Sequence, residues 1–201
     1  MLDNSTNVFK KNLKVRWWNV NGRWEQISKN FMDDKDIVFL SETHCNVNCL
    51  GKVTNFKVYG DPSFPLFQRH GGIAVYVSNR YNAYINNLRF TKHTVSFSLS
   101  IIPKVFFMGV YLYPTDSDNH NLSDFGILTD EVRYWLSKGF KPYIGGDFNS
   151  RLGNLNDLSK HSLNWRYDIN VDKSRNCNYK NFVTFCELSK HTHTHTHTHT
   201  H

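Results

Sequence analysis

Short apolar runs separated by polar breaks dominate the chain from residue 13 to residue 149. Residues 13–20 read as a strand. Over 23–32, Trp24, Ile27 and Phe31 fall on one helical face. Residues 37–40 form a continuous apolar run, the pattern of a strand buried on both faces. Residues 53–59, 72–78, 95–102 and 105–111 are further strands rich in β-branched and aromatic side chains. The clearest helix spans 123–138, with Phe125, Leu128, Val132, Trp135 and Leu136 at helical spacing, a stop at Gly139 and Pro142 beyond. Residues 143–145 make a short strand that runs into Gly146-Asp147-Phe148-Asn149, and Tyr179, Phe182, Val183 and Cys186 begin a last helix. Many strands with few helices between them predict an α/β sandwich, with two sheets packed together and helices outside, rather than a doubly wound parallel sheet.

At 201 residues the chain holds one domain. We divide it into a flexible N-terminal segment (1–12), the domain itself (13–189) and a tail (190–201). Thr and His alternate through the tail, which carries six of the eleven histidines: His191, His193, His195, His197, His199 and His201. Neither face of that alternation is apolar, so no fold element is expected there. Neutral imidazoles would suit a transition metal, but an in-frame CACACA repeat would encode the same string, and on that reading the natural sequence is expected to stop near Lys190.

The net charge of +7 arises outside this repeat and favours a polyanionic partner. Lys10, Lys11, Lys14 and Arg16 come nearest to a cluster. No run reaches the roughly 18 apolar residues of a membrane span, and residues 1–12 lack an apolar signal core, so an intracellular protein without membrane attachment is expected. Cys45, Cys49, Cys177 and Cys186 form no CxxC pair and are expected as reduced thiols. His44, Cys45 and Cys49 lack the fourth ligand of a structural zinc site.

The chemistry-bearing residues stand at strand ends. Asn19 and Asn21 are two apart after the first strand, so their amides project to one side. Glu42 directly follows the apolar 37–40 run, where a carboxylate needs a cation or hydrogen-bond donors. Asp147 and Asn149 repeat the two-apart spacing around Phe148. Each alone is commonly a turn former. Together they are two carboxylates and three amides, hard donors suited to Mg²⁺ and a phosphate.

Trp18-Asn19-Val20-Asn21-Gly22, Leu40-Ser41-Glu42-Thr43-His44, Gly71 to Ser78, Gly109 to Pro114 and Gly145 to Ser150 resemble, in order, the blocks of the endonuclease/exonuclease/phosphatase superfamily. The Glu-Thr-His string and Asn21, where the apurinic-site repair enzymes have Asp, are similar to the apurinic-type endonuclease domain of non-LTR (LINE-type) retrotransposons. The resemblance covers about residues 14–188. It implies a four-layer α/β sandwich of two packed mixed sheets flanked by helices, and Mg²⁺-dependent (or Mn²⁺-dependent) nicking of DNA by a monomer with no obligate protein partner, in the nucleus if the substrate is chromosomal.

By the same resemblance Glu42 would ligate the metal, with Asn21 and Asn19 beside it on metal-bound water or phosphate. Asp147 would orient and deprotonate the attacking water, Asn149 would hold the phosphate, and Tyr111 would contact the scissile group. Tyr113 leaves a shifted alignment open for that last role.

The family's closing Ser-Asp-His string does not occur after Asn149. His161, the only downstream histidine ahead of the repeat, has no acidic neighbour, and His70, His93 and His120 read as surface or loop residues. The resemblance therefore implies a sandwich incomplete at its C-terminus, with unpaired strand edges and little or no activity in this truncated chain. The alternatives are another phosphodiesterase of the superfamily, of sphingomyelinase or inositol-phosphate phosphatase type, and a non-catalytic fragment that binds nucleic acid or has no role.

Overall fold

The computed structural model describes residues 13–24, 32, 34–114, 121 and 123–149, together with the backbone of 166–167 and 193–196. The expected N-terminal segment 1–12, most of the helix expected over 23–32, the helix expected from Tyr179, His120, His161, Cys177 and Cys186 lie outside the described residues.

The first sheet contains β1 (Val15–Asn19), β2 (Ile37–Ser41), β3 (Phe56–Gly60) and β4 (Ile73–Ser78), in the order β1-β2-β4-β3. β1 runs parallel to β2, and β4 is antiparallel to both β2 and β3. A short helix α1 (Asn79–Asn82) leads to the second sheet, β5 (Ile85–Phe90), β6 (Thr94–Leu99), β7 (Val105–Tyr111) and β8 (Lys141–Asp147), paired in that order with only β7–β8 parallel. Helix α2 (Asp124–Ser137) crosses between β7 and β8. The α/β sandwich of two mixed sheets is thus present as expected, with strand limits within a few residues of those read from the pattern.

Two elements depart from the pattern. β5 has no counterpart in the expected strands; it carries Asn86 and Asn87, and its pairing slips between Asn86 and Arg89, where Asn87 is left-handed at φ 55°. The second departure is in the Thr/His repeat, where no element was expected. His193–Thr196 forms a strand, β10, parallel to β8 over Tyr143 to Gly146, with β9 (Arg166–Tyr167) on its far side. Main-chain groups at an open sheet edge can pair with any extended backbone, so this strand needs no apolar face to lie along β8.

Three apolar clusters follow from this layering. One fills the space between the sheets, around Trp17, Phe39, Val75, Phe97 and Phe107. A second lies between the second sheet and α2, where Phe106 and Trp135 stack with centroids 5.0 Å apart and planes 4° apart. The third covers the outer face of the first sheet with Val20, Met32 and Leu50. Helix α2 also turns an acid inward. Glu131, 4% exposed, accepts from Arg89, Ser96 Oγ and Trp135 Nε1; burial is the largest single influence and would raise its pKa, but the donors together outweigh it and hold the pKa down.

The sheets interlock through an aromatic pair set against a glycine pair. Trp17 and Phe39 are cross-strand partners on β1 and β2 and stack 5.6 Å apart. Facing them, Gly109 and Gly145 are partners on β7 and β8. A Cβ on Gly109 would lie 2.4 Å from Phe39 Cδ1, and one on Gly145 would lie 2.4 Å from Trp17 Cδ2. Trp17 Nε1 also donates across the gap to Met108 O (3.3 Å). Gly109→Ala and Gly145→Ala should each cost about 1–3 kcal/mol by overpacking. In contrast, Gly126→Ala on the open face of α2, where nothing lies within 4 Å, should gain up to about 1 kcal/mol. Urea denaturation midpoints of the three variants check both signs.

Candidate active site

Side chains two residues apart on a strand share a face. Asn19 therefore follows Trp17, Tyr111 follows Gly109 and Asp147 follows Gly145 along the facing surfaces of the two sheets. Register places Asn19 beside Ser41 and Tyr111 beside Asp147, so four strand ends meet at one edge of the sandwich.

Two hydrogen bonds cross between the sheets there. Asn19 Nδ2 donates to Asp147 Oδ2 (2.7 Å), and in the other direction Tyr111 OH donates to Glu42 Oε1 (2.6 Å). Asp147, 6% exposed, also accepts from the Asn149 backbone N–H at Oδ1 (2.9 Å). Asn19 turns its own Oδ1 to the Asn21 N–H (2.9 Å), which aims its Nδ2 at the aspartate. Asn149 directs Nδ2 to Leu112 O (2.6 Å), so one of its two amide protons is committed to the backbone.

The backbone at these ends is unusual. Asn21, Glu42 and Asn149 all adopt left-handed conformations, at φ 45°, 54° and 44°. Asn tolerates this region, whereas Glu occupies it at a cost of about 1–3 kcal/mol that the surroundings must impose. Around Glu42 the surroundings are main-chain bonds: Gly22 N to Glu42 O (2.7 Å), Thr43 N to Gly72 O (3.3 Å) and His44 N to Gly71 O (2.9 Å). Gly146, just before Asp147, sits at φ 141°, and a Cβ there would lie 2.0 Å from Val110 O. The Gly-Gly pair ahead of the aspartate thus does two jobs, since Gly145 admits Trp17 and Gly146 lets the backbone pass close against Val110 at a positive φ.

Of the residues singled out in the sequence, Asn19, Asp147 and Asn149 form one hydrogen-bonded group and Glu42 and Tyr111 a second, adjacent one. Asn21 joins through its backbone and lies exposed at the rim. Tyr111 is the tyrosine whose hydroxyl meets Glu42. Tyr113 packs edge-on against Tyr111, with ring centroids 5.4 Å apart. Burial, reinforced by the Glu42 hydrogen bond and by Asp147, drives the Tyr111 pKa far upward, so its proton stays on the phenol as a donor.

His93 and Asp124 escaped the sequence reading. His93, expected at the surface, is wholly buried at the start of β6. Its Nδ1 lies 3.1 Å from Tyr111 O, and its Nε2 lies 2.9 Å from Asp124 Oδ1, off the axis of a good hydrogen bond. It backs the strand that carries Tyr111. No local pattern marks it, because Lys92-His93-Thr94 reads as a turn and Asp124 as an ordinary first-turn acid of a helix.

No protein-family model matches the chain, and no curated protein sequence does. Solved structures do. A 3′-phosphatase from Neisseria bound to a product DNA hairpin aligns with a TM-score of 0.62 at 16% identity, over 88% of this chain and 71% of that one. A 3′-5′ exonuclease from Neisseria meningitidis aligns with 0.60 at 17% over the same shares. An AP endonuclease from Archaeoglobus fulgidus gives 0.55 at 12%, again over 88% and 71%. The chain shares the α/β sandwich fold of these three structures. Within that fold, the strand ends that carry Asn19, Glu42, Tyr111 and Asp147 form a single polar edge above the apolar interlock.

Burial, against the opposing pull of Asp124, lowers the His93 pKa, and burial lowers that of His44 against Glu42. The unfolded chain then takes up protons below about pH 6.5 that the folded chain refuses, so stability is full above that pH and falls beneath it. Denaturation midpoints between pH 8 and 5 should show this loss, and His93→Gln should flatten the decline.

Proposed function

We propose that this chain is a divalent-metal-dependent phosphodiesterase that nicks DNA, of the kind used by non-LTR retrotransposons. The observation that carries the reading is the anchoring of Asp147, a carboxylate held by Asn19 Nδ2 and the Asn149 N–H immediately beside the Tyr111–Glu42 pair. DNA as the substrate is supported by the net charge of +7 and by neighbours that include a phosphatase bound to a DNA hairpin.

The donor set suits Mg²⁺ or Mn²⁺. Among the described residues no three of His, Cys, Asp and Glu come together, so a cation held by them would rest on at most two such side chains, with amide oxygens and water. That is how Mg²⁺ is commonly held, with one or two carboxylates and several retained waters. Glu42 would hold it, its Oε1 fixed by Tyr111, with Asn21 at the rim. When bound, the cation supplies charge stabilisation of the phosphoryl and leaving oxygens.

The protein's own groups do the rest. Asp147 accepts a proton from the attacking water, and its two anchors keep the carboxylate in one orientation, which suits a positioned base contributing typically about 10²–10⁴-fold. Asn19 and Asn149 flank it with amide groups that can face phosphate oxygens. Tyr111, protonated throughout, gives its one proton to Glu42 Oε1 and so holds that carboxylate in place beside the scissile group.

The 201 residues contain no Ser-Asp-His string after Asn149. Losing one preorganised transition-state donor costs roughly 10²–10³ in rate, so this chain should be slow. A plasmid-nicking assay with enzyme in excess tests the reading. Slow Mg²⁺-dependent nicking, abolished by EDTA, by Asp147→Asn and by Glu42→Gln, is expected. Cleavage indifferent to both substitutions would overturn it, and so would preferential hydrolysis of sphingomyelin or phosphoinositide over DNA.

A further inference from the structure

The loop over residues 61–72 joins β3 to β4 at the sheet end that bears Glu42, and main-chain bonds tie it to the Glu42 segment. Gln68 N donates to His44 O (2.8 Å), while His44 N and Thr43 N donate to Gly71 O and Gly72 O. Asp61 caps the loop's beginning through Ser63 N (2.8 Å) and Ser63 Oγ (2.6 Å). Pro62 and Pro65 restrict its backbone further.

The tip of this anchored loop is apolar and open to water. Phe67 is 77% exposed and Leu66 57%, the two most exposed large apolar side chains among the described residues. Their position contrasts with Phe39, Phe97, Phe106 and Phe107, all buried. Exposed Arg69 follows, two positions beyond Phe67. An apolar tip on a tethered loop, with a guanidinium next to it, beside a phosphodiester-cleaving edge, has the chemistry of a wedge that meets bases while a cation meets the backbone.

We propose that Leu66 and Phe67 form an apolar wedge that contacts the bases of double-stranded DNA next to the scissile phosphodiester, with Arg69 on a neighbouring phosphate. The proposal rests on the reading of the site as a DNA phosphodiesterase and adds to it the part of the protein that grips the bases. The partner is nucleic acid rather than a second protein because the wedge adjoins the edge assigned to the phosphate, and the chain is basic overall.

Binding separates this proposal from the cleavage chemistry. A DNA duplex carrying 2-aminopurine is titrated with the full 201-residue chain in EDTA, where nothing is cut. Wild type should raise the 2-aminopurine fluorescence by unstacking it. Phe67→Ala should lower duplex affinity on the order of tenfold and abolish the rise, since one base–aromatic stack is worth about 1–3 kcal/mol, whereas Phe67→Trp should keep both. Arg69→Ala should reduce the slope of log affinity against log salt by about one. Because Phe67 is so exposed, its replacement leaves the fold intact, which circular dichroism checks.

Unchanged affinity in Phe67→Ala would overturn the wedge. Loss of self-association in that variant with DNA binding intact would overturn it as well, and so would a wild type that binds no duplex. Duplex binding through Phe67 without any Asp147-dependent nicking would leave the wedge standing and remove the cleavage reading. Normal nicking with Phe67→Ala indistinguishable from wild type would do the reverse.

Discussion

The close approach of the two sheets at Trp17, Phe39, Gly109 and Gly145 is the constraint on which the polar edge depends. With ring atoms only 2.4 Å from where a Cβ would stand, the glycines set how near β1 and β2 come to β7 and β8. One step of the strand period further on, Asn19 reaches Asp147 at 2.7 Å and Tyr111 reaches Glu42 at 2.6 Å. A hydrogen bond of 2.7 Å between side chains as short as Asn19 and Asp147, from opposite sheets, is possible only if the sheets are held this close. The apolar lock and the polar edge are consecutive turns of the same four strands.

The two cross-sheet bonds run in opposite directions, and they leave the two carboxylates in different settings. Asp147 is buried and oriented by an amide and a backbone N–H, the setting of a group that must point one way. Glu42 is half-buried, strained into a left-handed backbone and paired through one oxygen to a tyrosine whose proton is locked in place. Strain of this sort persists only where surrounding bonds over-determine it, and here Gly22, Gly71 and Gly72 supply them. A second layer of support is remote. His93 and Asp124 back Tyr111 from behind β7, and Glu131 ties α2 to β5 and β6.

The strand ends were legible in the sequence because there the apolar pattern stops and a carboxylate or amide begins, as at Leu40-Ser41-Glu42 and Gly146-Asp147. The α/β class followed from the same alternation. What the pattern hides is whatever depends on a partner distant in sequence. Gly109 looks like a weak point inside β7 until Phe39 is seen against it. Tyr111 and Tyr113 are equivalent on paper, and only the end of β7 separates them: Tyr111 closes the strand and meets Glu42, whereas Tyr113 lies beyond it and packs edge-on against Tyr111. Buried His93 gives no signal because its partners, Tyr111 O and Asp124, are 18 or more positions away. β5 was missed because two asparagines interrupt it. The Thr/His strand was missed because edge pairing uses backbone atoms, to which side-chain pattern is blind.

In the function proposed above, labour at this edge is divided, with Glu42 holding the cation and Asp147 handling the proton. Calorimetric titration of Mg²⁺ into wild type, Glu42→Gln and Asp147→Asn tests it without reference to turnover. Glu42→Gln should lose at least the roughly 10–100-fold in affinity that removing even an outer partner of a metal site costs, while Asp147→Asn should bind Mg²⁺ nearly as wild type does. Equal binding by wild type and Glu42→Gln, or a larger loss in Asp147→Asn, would contradict the account.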